Sequence, residues 1–295
     1  MTQSLVWERD GRDWPLREHS RFVHAGGLRW HVQQLGKGPA MLLIHGTGAS
    51  THSWRELAPL LAPHFSLVSV DLPGHAFTDT PPQAQLSLPG MAASLASLVD
   101  ALSADLQWVV GHSAGAAIAA RMVIDGRIAP RGLIGLNAAL LPLGGAAGLL
   151  FPPTARLMAA TLIAPRLFAW RAGDSAAVAR LIAGTGSVLS PAGVALYARL
   201  MRDVKHVSGA LGMMARWDLD GLTPKLRQLN TPLSLLVGDR DRAVPPAQAR
   251  EVLDLLPRAT RRSLEVLAAA GHLAHEERPA EVAQFVFRSV GQTTA

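Results

Sequence analysis

The chain has 295 residues, with 28 Lys+Arg against 22 Asp+Glu, 49% hydrophobic and 17% charged residues, and no cysteine. Such a length fits one α/β-type domain, or one domain carrying an insertion. Without cysteine there are no disulfides, thiolate nucleophiles, Cys-based zinc sites or iron–sulfur ligands.

In chain order, Met1–Asp13 mixes acids and bases and has no apolar core of signal-peptide length. With the missing cysteines, this fits a cytoplasmic address. RFVHAGGLRWHVQQLGKGPAMLLIHG (21–46) reads as a hairpin turning at Gly26–Gly27, followed by a buried strand. FSLVSVDLPG (65–74) is a second buried strand, and Leu88–Leu102 has helical spacing. QWVVGHSAGAAIAARMVIDG (107–126) is a strand, a sharp turn between glycines and a helix of small residues. The alternation predicts an α/β fold with a mostly parallel sheet flanked by helices.

The uncharged run from Gly132 to Ala155 is long enough to cross a bilayer. Asn137, Pro142, Gly144, Gly145, Gly148 and Pro152–Pro153 would break a spanning helix, so it reads as a short strand followed by loop. From Leu141 to Gly221 the rhythm lapses into short helical patterns punctuated by proline, such as TARLMAATLIA and PAGVALYARLMRDV. This predicts a helical insertion at 141–221 within a core made of 1–140 and 222–295. Strands resume with PLSLLVGDRD (232–241) and SLEVLAAAGH (263–272), and PAEVAQFVFRSV (279–290) closes as an amphipathic helix.

Gly111-His112-Ser113-Ala114-Gly115 lies between the strand and the helix. A nucleophile on such a turn sits in a strained backbone, so its neighbours two before and two after must be small. A serine needs a base, and the base needs a carboxylate to orient it. GDRD and Gly271-His272 supply both after apolar strands, with Asp239 and Asp241 each able to face His272. His275 competes with His272, but Gly271 gives the His272 loop its freedom. Backbone N–H groups must also meet the tetrahedral oxygen. Ala114 follows the nucleophile, and the Gly-lined loop His45-Gly46-Thr47-Gly48 offers Thr47, or Gly48 beside it.

HGTG (45–48), DLPGH (71–75), GHSAG (111–115), GDRD (238–241) and GH (271–272) together resemble the α/β-hydrolase superfamily, across essentially residues 27–290. That resemblance implies Ser113, Asp241 and His272 as the triad, and a mobile cap over the pocket at 141–221. One departure is Ala76, where the family's loop usually reads D-x-x-G-x-G. More narrowly, VWERDGRDWP (6–15), HGTGASTHSWREL and DLPGHAFTDTP are similar to the magnesium-chelatase accessory proteins of bacteriochlorophyll biosynthesis. That family implies a role near magnesium insertion into protoporphyrin, without defining a reaction.

The expected activity is hydrolysis of an ester or related acyl bond of a hydrophobic substrate, with no cofactor. His45, Gly46, Gly48, Trp54 and His112 are pocket candidates. His45, His52, His75 and His112 form no compact ligand set, so no metal is expected. Met201, Met213 and Met214 read as packing that would also suit a flat apolar ligand.

Between Leu141 and Trp217 stand eight basic residues and two acids. They are scattered among Leu, Ala and Met without interleaved aromatics, which argues against nucleic acid. The alternative function is a porphyrin carrier for magnesium chelatase, with arginines of the insertion pairing propionates. The same charges would serve peripheral contact with an anionic membrane.

Overall fold

The computed structural model describes residues 4–142 and 174–294. The later half of the uncharged run, the TARLMAATLIA pattern and Arg156, Arg166 and Arg171 lie outside the described residues. Among those described, no helix is long and apolar enough to cross a membrane.

Among the described residues, eight strands form one sheet: β1 (Ser20–Ala25), β2 (Leu28–Leu35), β3 (Ala40–Ile44), β4 (Ser66–Val70), β5 (Leu106–His112), β6 (Gly132–Leu136), β7 (Leu233–Gly238) and β8 (Arg261–Leu267). Their order is β1-β2-β4-β3-β5-β6-β7-β8. The hairpin expected at Gly26–Gly27 pairs β1 with β2, and β2 meets β4 antiparallel. Every later pairing is parallel.

Strand side chains alternate between faces, and the core divides accordingly. Leu42 and Ile44 of β3, with Leu233, Leu235 and Val237 of β7, pack on one face. Met41, Leu43 and Leu236 pack on the other. The first face is covered by α3 (Leu88–Ala101), α4 (Ala114–Ile124) and α8 (Ala247–Leu255). The second is covered by α2 (Leu57–Leu61) and by α10 (Pro279–Thr294), through Val282, Phe285 and Val286. Outside the stretch between β6 and β7, the described residues also form the short helices α1 (Trp7–Asp10) and α9 (Ala274–Glu277).

Between β6 and β7, the described part of the insertion forms α5 (Ser175–Gly184), α6 (Pro191–Met201) and α7 (Val204–Ala215). Each starts at a side chain that accepts an otherwise unpaired first-turn N–H. Asp174 accepts from Ala176, Ser190 from Gly193 and Asp203 from Lys205. Asp203 also accepts the Leu5 N–H (3.2 Å), and Arg199 of α6 grips Asp13 with two bonds of 2.7 Å. The N-terminal segment thus joins the insertion to the core, while Trp7 and Trp14 pack on Phe77.

Candidate active site

The chemistry-bearing residues gather beyond the carboxyl ends of the parallel strands, where open α/β sheets bind ligands. Ser113 joins β5 to α4 with φ 51° and ψ −118°, a left-handed conformation. Such strain persists only where surroundings impose it. A Cβ on Gly111 would stand 2.5 Å from Ala116 Cα, and one on Gly115 would stand 2.1 Å from Ile44 O. Both glycines are therefore required, because backbone passes where any side chain would begin. The turn is pinned to the end of β6 by Ser113 N–H donating to Leu136 O (3.0 Å).

Asp241, rather than the exposed Asp239, faces the imidazole: His272 Nδ1–H donates to Asp241 Oδ2 at 2.8 Å. The same oxygen accepts from Asn137 Nδ2 (2.8 Å), and Oδ1 accepts the N–H groups of Ala243 and Val244 (2.8 Å each). Burial pushes this carboxyl up, but the bonds from His272, Val244 and Asn137 outweigh it and hold Asp241 below its ordinary range. With Nδ1 committed, Nε2 is the ring atom left for Ser113. Among the described residues the Ser113 hydroxyl forms no hydrogen bond.

Ser113, His272, Gly46, Thr47 and Gly48 border one cavity of about 450 Å³. That volume lies in the usual range for small-molecule sites. Its wall is mostly aliphatic, with Ile182, Met201, Val207, Leu211 and Met214 from the insertion. A Cβ on Gly46 would fall 3.0 Å from Ser113 Cβ, so the Thr47 loop runs directly against the serine. Ala114 opens α4, where the helix terminus favours negative charge.

Two expectations need correction. Trp54 does not wall the cavity; it is fully buried with Leu57 and Leu61 under the sheet, its ring 4.8 Å from His275. His45 also stands behind the wall. Its Nδ1–H donates to Gly46 O (2.7 Å) and its Nε2 accepts from Leu72 N–H (2.9 Å), bracing two loops against each other. His112 does border the cavity, yet its ring is buried and Nε2–H donates to His272 O (2.9 Å). Burial first, then His272, push it down to about 3. His275 is fully buried too, its ring 4.4 Å from that of His112.

Residues that motif reading missed support the site. Asn137 takes φ 46° and anchors Asp241; its place just past a buried strand was the available signal. Glu276 is buried between Arg55 (2.5 Å) and the Tyr197 hydroxyl (2.7 Å), but those partners are far apart in sequence. Ala76 adopts φ 42°, the conformation a glycine would take there. Among the described residues no cluster of three or more His, Cys, Asp or Glu is placed to hold a metal, and the cavity wall carries no Arg or Lys.

Comparison with known proteins agrees with this architecture. Residues 39–279 match the family model described as the alpha/beta hydrolase fold. The magnesium-chelatase 30 kDa subunit of Rhodobacter capsulatus is 37% identical over 266 residues, covering 90% of this chain and 92% of that protein. A putative lipase from Acinetobacter baumannii AYE superposes with a TM-score of 0.77 at 19% identity, covering 99% of this chain and 98% of the other. A thermophilic esterase from Thermogutta terrifontis gives 0.72 at 22%, covering 94% and 99%. At such identities the two solved structures speak for the fold alone. The chain therefore belongs to the α/β hydrolase fold family, similar over nine-tenths of its length to a magnesium-chelatase 30 kDa subunit.

Proposed function

We propose that the protein is a serine hydrolase that cleaves an ester or related acyl bond of a hydrophobic substrate. The observation that carries this reading is the Asp241–His272 bond of 2.8 Å at the cavity that Ser113 borders from its strained turn. Ser113 Oγ attacks the acyl carbon while His272 Nε2 takes its proton. His272 then passes that proton to the leaving oxygen, and water repeats the sequence on the acyl-enzyme. Asp241 holds the imidazole in the Nδ1–H tautomer, and the N–H groups of Thr47 and Ala114 receive the tetrahedral oxygen. The helices of the insertion act as the cap.

The wall also bears on the substrate. The Tyr197 hydroxyl donates to Glu276, that of Thr185 to Ile182 O (2.6 Å) and that of Thr47 to Met213 Sδ (3.6 Å). These three hydroxyl protons are committed within the protein and the rest of the wall is mostly aliphatic, which favours an uncharged, hydrocarbon-like group in the cavity.

The relationship to a magnesium-chelatase subunit supports a second reading, a porphyrin-binding accessory at the magnesium insertion step. Propionate pairing with arginine, its motive, finds no partner on the described wall. Arg180 pairs Asp174, Arg199 pairs Asp13 and Arg216 bonds Gln83, all away from the cavity.

Fluorophosphonate labelling separates the two readings. Wild type should label, and Ser113→Ala should lose labelling and turnover, by roughly six orders of magnitude for an intact triad. A folded wild type that resists the probe, yet binds protoporphyrin saturably in an absorbance titration, would overturn the hydrolase reading.

A further inference from the structure

We infer that the helical insertion sets the reactive geometry as well as roofing the cavity: the turn Thr185–Ser187 positions His272, and His206 of α7 positions the loop carrying Thr47. The inference rests on the serine-hydrolase reading above.

The turn after α5 is wedged between the loops that carry the acid and the base. Thr185 O accepts the N–H of Arg242 (3.1 Å), next to Asp241, and the N–H of His272 itself (3.4 Å). Ser187 Oγ accepts the N–H of Leu273 (2.8 Å). The backbone on both sides of the His272 side chain is therefore held by the insertion. Packing leaves no slack. Gly186 has φ 86°, and a Cβ there would lie 1.9 Å from Arg240 O; one on Gly271 would lie 2.4 Å from the Gly186 carbonyl carbon. Backbone meets backbone at both places, so the turn cannot shift without moving the loops of Asp241 and His272. Ser187 is itself buried, unlike the exposed Val188 that follows it.

His206 does the corresponding work on the opposite wall. Its Nδ1 accepts the N–H of Ala76 (3.0 Å), and its Nε2–H donates to Gly48 O (3.2 Å). One buried imidazole thus ties α7 to the loop beyond β4 and to the residue after Thr47. Near Ala76, a Cβ on Gly209 would lie 2.0 Å from Gly74 O, so α7 rests on that loop at backbone distance. The titratable groups that interact with this ring include His45, His52, His75 and Asp71. Ser187 and His206 are positioning residues: neither supplies a reacting atom.

The test is the pH-dependent rate of fluorophosphonate labelling, resolved into kinact and KI. Misplacing a reactive group by about 1 Å costs about 100-fold. Ser187→Ala should lower kinact by about that factor, with KI changed less than about threefold and the midpoint of the pH–rate profile displaced. Ser187→Thr, which keeps the acceptor, should recover the rate. Ser187→Cys keeps the volume but weakens the acceptor, and replaces the alanine variant should that not fold. At the other wall, His206→Gln can place an amide N–H where Nε2 donates to Gly48, and His206→Asn cannot. Gln should therefore retain more labelling than Asn.

Labelling of Ser187→Ala and His206→Asn at the wild-type rate would overturn the inference. A readout free of reactivity is the downfield proton NMR signal of His272 Nδ1–H on Asp241. It should vanish in Ser187→Ala and persist in Ser187→Thr, and an unchanged signal in Ser187→Ala would also overturn the inference. A wild type that never labels, but whose signal depends on Ser187, would sink the hydrolase reading and leave the positioning role standing.

Discussion

Glycine has opposite consequences at two positions in this chain. At Gly115 a methyl would stand 2.1 Å from Ile44 O, so β3 and α4 would have to part. Gly115→Ala should cost at least about 1–3 kcal/mol by urea unfolding and abolish fluorophosphonate labelling, because the serine turn moves with the helix. Gly184, the last residue of α5, is exposed and meets nothing within 4 Å. Gly184→Ala should gain about 0.5–1 kcal/mol in the same measurement. Equal effects at both sites would refute the packing argument. The two glycines look alike in sequence except for the motif around Ser113, which is why GHSAG was legible and the Gly186–Gly271 contact was not. Asn137 went unread for a related reason, since its partners Asp241 and Gly271 are 104 and 134 residues away.

Among the elements, α6 is attached to the core by a buried charge. The Tyr197 hydroxyl and Arg55 share Glu276 of α9, the helix that begins just past His272. Burial pushes the Glu276 carboxyl up, and Arg55 and Tyr197 pull it back only in part. Tyr197→Phe would leave Oε1 of a buried carboxylate short of a donor, a loss of about 1–3 kcal/mol. Arg180→Ala breaks only an exposed pair with Asp174, worth about 0.5 kcal/mol or less. Thermal melts of the two variants should separate them clearly; a Tyr197→Phe melt that overlays wild type would remove this network from the stabilising contacts. Strands β3 to β7 were legible as short apolar runs bounded by turn residues, β1 and β2 through the Gly26–Gly27 turn between them, and β8 through its apolar end despite Arg261, Arg262 and Glu265. The short helices α2, α8 and α9 were not singled out, having too few turns for periodicity to declare itself.

For the whole molecule, the buried histidines tie stability to pH. Burial pushes His45, His52, His75, His112, His206 and His275 below their ordinary value, with His206 at about 4 and His112 at about 3. Each stays neutral in the fold and takes up its proton on unfolding. Their contribution is therefore complete above the unfolded value near 6.5 and is lost as pH falls below it, by up to about 1.4 kcal/mol per histidine per pH unit. Set against a total stability of about 5–15 kcal/mol, such a loss should lower the melting temperature as pH falls from 7 to 5. A melting temperature that stays level from pH 7 to pH 5 would show that the histidines are protonated within the fold.

Asp71 titrates lower. Burial pushes its carboxyl up, but His31 (2.8 Å), His45 and the Thr51 N–H outweigh it and hold the group at about 2. Its contribution is present above the unfolded value near 3.9 and is lost only as pH falls toward 2. Sequence by itself determined the α/β architecture, the strained serine turn and the order in which serine, acid and histidine follow their strands, because each is written in a few consecutive residues. Tertiary structure decided that Asp241 and not Asp239 meets His272, that Trp54 and His45 stand behind the cavity, and that the insertion grips both walls. Those outcomes depend on contacts between residues distant in the chain, whose geometry is set only when the sheet brings its strand ends together.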